Sequence, residues 1–368
     1  MTYYDKYRYL TTLDAVDDYD NWWVAGYEIN GIFKVSKKDN TVELIKKTET
    51  ADKMIKRYRY SFEYRGKMYF LPSHSYNIEV YDTELKMFYC IGIPGENRKE
   101  YATIGYITDD KYIYMFSTFC EETPIRLNTL TMECERIGDS WKDIIKEYAK
   151  DKLVFICSIA EQKGYIWCGV YGTNTIICSK KSDLNDIKVI HLEEQFNIYR
   201  VANAGKNRLI LSSLVDNECI VYNTIDNMIE YKIDVKEIGL EVNILSDGEE
   251  IVLIPQYGRK LMLINTDTRE TKIIDCTSEK MKCFDENDRF FYYGKMDEQK
   301  IYLYPYNTNV LTIINRKDMS ISYEEWEMEK DTSTKDIMAK YVIEDKDGVY
   351  YEKRCDIDNF LENIIKNS

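Results

Sequence analysis

The sequence predicts an all-β fold in which seven four-stranded antiparallel units stand radially as the blades of a propeller. Three observations carry this. Turn residues that close apolar runs recur at Ser36, Asp82, Asn128, Ser179, Asn223, Asn265 and Asn315, at spacings of 46, 46, 51, 44, 42 and 50 residues. A four-stranded blade repeats every 40–50 residues or about that. Three of the five prolines, Pro72, Pro255 and Pro305, stand ten residues before one of these Asp or Asn positions without a gap. Tyrosine, at 33 residues, joins abundant isoleucine to favour strands throughout.

Each repeat reads as strand, short loop, strand and turn. Met68–Leu71, Ile251–Ile254 and Ile301–Tyr304 are apolar runs that end at the proline, where a missing N–H does little harm to a ladder. Asn and Gly then supply turn conformations, and the closing Asp or Asn bonds its own downstream backbone. Ser61–Tyr64 and Met87–Ile91 complete the second unit, Glu241–Leu245 and Thr271–Ile274 the sixth. The copies near Asn128 and Ser179 are weaker, which leaves six and eight blades open. The longest interval holds a helix: Trp141, Ile144, Ile145 and Tyr148 share one face, with Asp139 or Ser140 as N-cap. It is expected to pack on the propeller's side.

The first unit shows no clear inner strand before Trp22, and after Met328 the period stops. Residues 1–330 are therefore assigned to the propeller and 331–368 to a helix–hairpin–helix extension packed on it. Its helices are expected over 332–341 and 357–366, the second carrying Ile357, Phe360, Leu361, Ile364 and Ile365 as one stripe. Between them Tyr341–Ile343 and Val349–Tyr351 flank Asp347-Gly348, a hairpin signal. These strands are expected to pair with the first blade and remove its exposed edge.

On blade period and strand pattern over residues 20–330, the chain resembles the broad β-propeller class of WD40, kelch and YVTN-type repeats. It lacks the Gly-His and Trp-Asp marks, the paired glycines of kelch repeats and the Asp-box. The resemblance therefore implies a fold and carries over no functional residue.

Composition bounds the function. A net charge of −14 with no Lys/Arg block denser than Lys53–Arg59 argues against nucleic acid as partner, because such binding needs several phosphate contacts. No stretch is apolar enough for a signal peptide or a membrane span, so no membrane partner is expected. Ten cysteines (Cys90, Cys120, Cys134, Cys157, Cys168, Cys178, Cys219, Cys276, Cys283, Cys355) form no C-x-x-C pair. They read as buried reduced thiols of a cytoplasmic protein. The Lys/Glu/Ile/Tyr-heavy composition points to an AT-rich bacterial genome. Two histidines only, His74 and His191, and no P-loop, dinucleotide fingerprint or nucleophile elbow assign no catalytic residue, no metal and no cofactor.

Geometry singles out one face. The loop between the second and third strands of a blade opens on the side of the blade-to-blade connections. These loops, Ser73–Asn77, Val170–Asn174, Leu214–Glu218, Gln256–Lys260 and Tyr306–Asn309, carry His74, Tyr76, Tyr171, Asp216, Tyr257, Arg259, Tyr306 and Asn307. Tyr and Arg are common anchors of recognition surfaces. The leading expectation is a recognition or scaffold module that binds a protein, peptide or polar small ligand there. The alternative is a carbohydrate-active hydrolase or lyase using carboxylates and Tyr in the central funnel, for which Glu121-Glu122 and Asp216-Asn217-Glu218 offer acids. It requires two acids with His74 or Arg259 at one pocket. A purely structural subunit would instead show a large apolar patch on the blades' sides.

Overall fold

The computed structural model describes residues 10–27, 31–48, 58–73, 75–95, 101–119, 122–149, 156–239, 242–281, 289–306, 308–328, 342–345 and 348–351. Strands β1 to β28 form seven sheets of four consecutive antiparallel strands. The sheets span residues 15–47 (β1–β4), 58–92 (β5–β8), 103–136 (β9–β12), 156–191 (β13–β16), 198–234 (β17–β20), 243–275 (β21–β24) and 291–325 (β25–β28). The chain is a seven-bladed β-propeller, with one described helix.

Seven hydrophobic clusters fill the seams, one between each pair of neighbouring blades. This explains why the second strands read as unbroken apolar runs. In β6 (Lys67–Pro72), Met68 and Phe70 pack with Trp23 of the first blade, while Tyr69 and Leu71 pack with Ile113 and Met115 of the third. Successive side chains point to opposite faces of a strand, and here both faces are interior. Outer strands lose one neighbour and are more exposed, as in β20 (Met228–Asp234), where only Ile233 is buried.

The turns bear the chemistry expected of them. The Asp82 Oδ1 accepts the N–H groups of Glu84 and Leu85 at 3.1 and 2.9 Å, and Asn128, Asn223 and Asn265 do the same at their turns. The next residue is Thr in all four. The hydroxyls of Thr83, Thr129, Thr224 and Thr266 donate to the carbonyls of Gly66, Lys111, Asn207 and Glu249 at 2.6–3.0 Å. Each ties one hairpin turn to its neighbour. In the fourth blade the chain turns later, at Lys181-Ser182, where Lys180 pairs Asp183.

Helix α1 (Asp139–Ala149) lies against the fourth blade's outer strand, β16 (Asp183–His191). Trp141 is 1% exposed and meets the Phe116 ring at 5.5 Å; Tyr148 meets the His191 ring at 5.3 Å. The first-turn N–H of Ser140 is bonded at 3.1 Å by the Asn185 side chain. That cap comes from the neighbouring strand, where the sequence suggested Asp139 or Ser140 itself.

Two expectations near the ends need correction. The first blade's inner strand is β1 (Ala15–Asp17), which pairs with Trp22–Val24. Its apolar content is only Ala15 and Val16, too short to stand out. The first blade's edge is covered by β29 (Glu327–Met328), which pairs in parallel with Thr41 and Val42 of β4 (Thr41–Lys47). The hairpin strands, β30 (Val342–Asp345) and β31 (Gly348–Tyr351), pair with each other in a separate two-stranded sheet. Residues 332–341 and 357–366, where helices are expected, lie outside the described residues.

Closure thus rests on the seam between the seventh and first blades. Trp326 is 0% exposed there, 6.5 Å from the Trp22 ring, among Leu311, Val24 and Phe33. Trp326→Ala should lower unfolding free energy by about 3–5 kcal/mol, the usual cost of emptying a large aromatic site. Urea denaturation measures it. Lys38→Ala, on an exposed turn, should leave the midpoint unchanged.

Candidate functional site

The inner strands β1, β5 (Tyr58–Tyr64), β9 (Thr103–Thr108), β13 (Ile156–Gln162), β17 (Ile198–Asn203), β21 (Asn243–Ser246) and β25 (Phe291–Met296) surround the axis. They enclose a cavity of about 500 Å³, walled by Arg59, Tyr60, Tyr106, Arg200, Asn243 and Tyr293 among others. Five of these strands carry an irregular register near their first residues. The extra residue is Arg59 in β5, Ile104 in β9, one of Cys157 and Ser158 in β13, Tyr199 in β17, and one of Tyr292 and Tyr293 in β25. A bulge breaks the strict alternation of faces and re-aims side chains. Consecutive residues can therefore both reach the axis.

The starts of the inner strands lie beside the loops between second and third strands, since Tyr58 pairs with Pro72 and Phe291 with Pro305. At this mouth of the channel guanidinium and phenol groups interlock. The Tyr292 hydroxyl accepts an N–H from Arg59 at 3.3 Å and one from Arg200 at 3.0 Å. Arg200 also donates to Asn243 Oδ1 at 2.8 Å and to the Tyr199 hydroxyl at 3.2 Å, while Tyr199 donates to Gln256 at 2.8 Å. Arg289 donates to the Tyr257 hydroxyl at 3.3 Å, and its guanidinium lies 5.3–5.9 Å from the rings of Tyr257, Tyr292 and Tyr306. Tyr306 stacks on Tyr292 at 5.5 Å and approaches Tyr27 at 5.6 Å.

Deeper in the same cavity sits Asp14, 6% exposed. Its carboxylate oxygens accept the N–H groups of Ala15 at 2.8 Å and Ser61 at 3.1 Å. Burial pushes its pKa up to about 6, against the opposing pull of the Lys295 charge and those two N–H groups. Burial likewise holds the phenols of Tyr60, Tyr106 and Tyr293 above their ordinary range, so they act as neutral donors. Glu161, near the end of β13, is engaged by Lys181 at 3.0 Å.

Of the residues proposed from sequence, the fold brings three to the mouth. Tyr257 and Tyr306 contact Arg289, and Tyr171 meets the Tyr199 ring edge-on at 6.3 Å. Arg259 stacks on Phe290 at 4.1 Å and lines a separate hollow of about 410 Å³ with Glu237, Lys260 and Asp275. Asp216 accepts the Ser213 hydroxyl at 2.7 Å within its own loop, and Tyr76 stands 39% exposed at its loop tip. His74, Asn307 and Glu121 lie outside the described residues; Glu122 is ion-paired with Arg136. His191 shares a 3.2 Å hydrogen bond with Thr175.

The residues that sequence reasoning missed are Arg59, Tyr199, Arg200, Arg289 and Tyr292. A faint signal existed: the Tyr-Arg pairs Tyr58-Arg59 and Tyr199-Arg200 both fall at the start of a blade's first strand. Six described cysteines carry free thiols, four of them buried. Burial pushes Cys178 and Cys276 up to about 12, which keeps them protonated and poor nucleophiles.

No family model matches the chain, and no curated protein matches it. Among solved structures it is similar to other propellers. A streptogramin B lyase gives a TM-score of 0.58 at 10% identity, covering 86% of this chain and 95% of that one. A catalytically inactive virginiamycin B lyase from Staphylococcus aureus, with quinupristin, gives 0.60 at 11% identity over 82% and 94%. YCF48 bound to D1 peptide gives 0.58 at 8% identity over 81% and 92%. At these identities the likeness is one of fold.

Asp14 yields a prediction with a definite sign. Its folded pKa of about 6 stands above the ordinary 3.8, so between these values the folded chain holds a proton that the unfolded chain has lost. That contribution is complete below pH 3.8 and vanishes as pH rises through 6. It amounts to at most about 3 kcal/mol. Asp14→Asn should therefore match the parent near pH 4 and gain stability over it as pH rises to 7. Urea midpoints of the pair across that range test this; a pH-independent difference would show that Asp14 does not titrate in the window.

Proposed function

We propose that the chain is a cytoplasmic recognition module that holds a protein, peptide or polar small ligand over the mouth of its central channel. The interlocked Arg59, Arg200, Arg289, Tyr257, Tyr292 and Tyr306 side chains carry this reading. Arg and Tyr supply large contact area with directional donors at modest entropic cost, the usual chemistry of energetic anchors. Here the anchors are set before any ligand arrives, because hydrogen bonds and stacked rings fix them. YCF48 with its D1 peptide illustrates a propeller used for peptide binding. Four buried free thiols agree with a reducing compartment.

The hydrolase or lyase reading asked for two acids at one pocket with His74 or Arg259. Arg259 does stand with two acids, Glu237 and Asp275, but in a hollow apart from the central funnel that this reading named, and of the two described acids on the channel wall Glu161 is held by Lys181. Recognition is the reading these residues favour.

Peptides selected from a random display library on the parent protein provide the test. Tyr257→Ala and Arg289→Ala should each weaken them at least tenfold, while Leu130→Ala, on an exposed turn of the opposite face, should leave affinity unchanged. Peptides that ignore both mouth substitutions and respond to Leu130→Ala would overturn the proposal.

A further inference from the structure

Arg59 is an unusual arginine. It is 9% exposed, yet among the described residues its fork of donors is barely used. A guanidinium carries five N–H groups. One bonds the Tyr292 hydroxyl at 3.3 Å, and the cation lies 5.7 Å from the Tyr60 and Tyr292 ring centres. Among the described residues no carboxylate pairs with it. Its side chain lines the channel cavity, so the remaining donors have the cavity as their outlet. Arg200 lines the same cavity and reaches the same phenol oxygen at 3.0 Å. One neutral oxygen thus joins two like charges whose side chains are both largely withdrawn from solvent, Arg59 at 9% and Arg200 at 8% exposure, where an anion between them would be held more strongly than at the surface.

We infer that the channel mouth binds an oxyanion group, phosphate or carboxylate, held between the Arg59 and Arg200 guanidiniums. This rests on the recognition reading and names the group recognised. Planar guanidinium forks match two oxygens of such a group, and charge-assisted bonds of this kind are about twice as strong as neutral ones. The cavity, about 500 Å³, is far larger than a lone oxyanion, so the group is the head of a larger ligand. Deeper in the cavity the wall changes to Asp14 and the phenols of Tyr60, Tyr106 and Tyr293. A second negative charge would meet the Asp14 carboxylate. The ligand is therefore an uncharged body with one anionic head, its head at the arginines.

Thermal unfolding of the full chain, titrated with inorganic phosphate, acetate or chloride at constant ionic strength, tests the inference. Phosphate or acetate should raise Tm by several degrees and saturate, as a ligand specific to the folded state must; chloride should not. A larger response to phosphate assigns a phosphoryl head, a larger response to acetate a carboxylate. Arg59→Gln should abolish the oxyanion response while unfolding no lower than the parent in oxyanion-free buffer, because it removes one of two crowded charges. Arg59→Lys keeps the charge without the fork and should weaken the response at least tenfold; it carries the test alone should the Gln variant fail to fold. A parent Tm that follows chloride as closely as phosphate and acetate would overturn the inference, as would substituted chains that respond like the parent. Library peptides that still need Tyr257 and Arg289 in that case would leave the recognition module standing and remove only its anion.

Discussion

Blade-on-blade packing is the interaction on which the rest of the molecule depends. A four-stranded sheet alone cannot hide two apolar faces, and each blade here has two. Met68 and Phe70 need the first blade as much as Tyr69 and Leu71 need the third. Seven seams result, each as apolar as a domain core, and the last exists only once the chain returns to its beginning. The fold is therefore a ring by necessity. Trp326 and β29 complete it by presenting apolar surface and two residues of parallel pairing to blade one, without exchanging a strand between chain ends.

The same constraint decides where a site can form. Second and third strands are committed on both faces, and outer strands are too far from the axis to converge. Only the inner strands present side chains to a common space, and their edge faces the axis with no further strand to satisfy. There the ladder tolerates an extra residue. Bulges at Arg59 and Tyr199 let adjacent residues serve different ends: Tyr199 reaches Gln256 while Arg200 reaches Asn243 and Tyr292. Seam packing fixes the scaffold, and irregular pairing at its rim varies which side chains reach the axis.

This division also explains what could be read without coordinates. The Asp82, Asn128, Asn223 and Asn265 turns were legible because their chemistry is local: a side-chain oxygen meets its own backbone two and three residues on. Alternation and period gave the blades for the same reason. The loops that bring Tyr257 and Tyr306 to the channel mouth were legible too, from strand order alone. Arg59 and Arg200 left only the faint mark of recurring Tyr-Arg pairs, since a bulge is a property of two paired strands and not of either one alone. The cap of α1 left none, since Asn185 supplies it from 45 positions away in sequence. Closure by Glu327-Met328 was hidden by its shortness, while the better hairpin signal at Asp347-Gly348 drew the expectation elsewhere.

Charge at the axis opposes charge over the chain as a whole. The sequence carries 64 acids against 50 bases, yet the described mouth gathers Arg59, Arg200 and Arg289 around one tyrosine. The two fields act over different ranges. Exposed charges are screened within about 8–10 Å at physiological salt, whereas buried guanidiniums in a low-dielectric pocket keep their local reach. A polyanion lying along the surface would meet the acidic exterior at every step and gain from the arginines only once. A single anionic head that enters the channel meets the arginines and leaves the exterior behind. The acidic composition that argues against nucleic acid is thus compatible with an oxyanion site, and it sharpens what that site can accept.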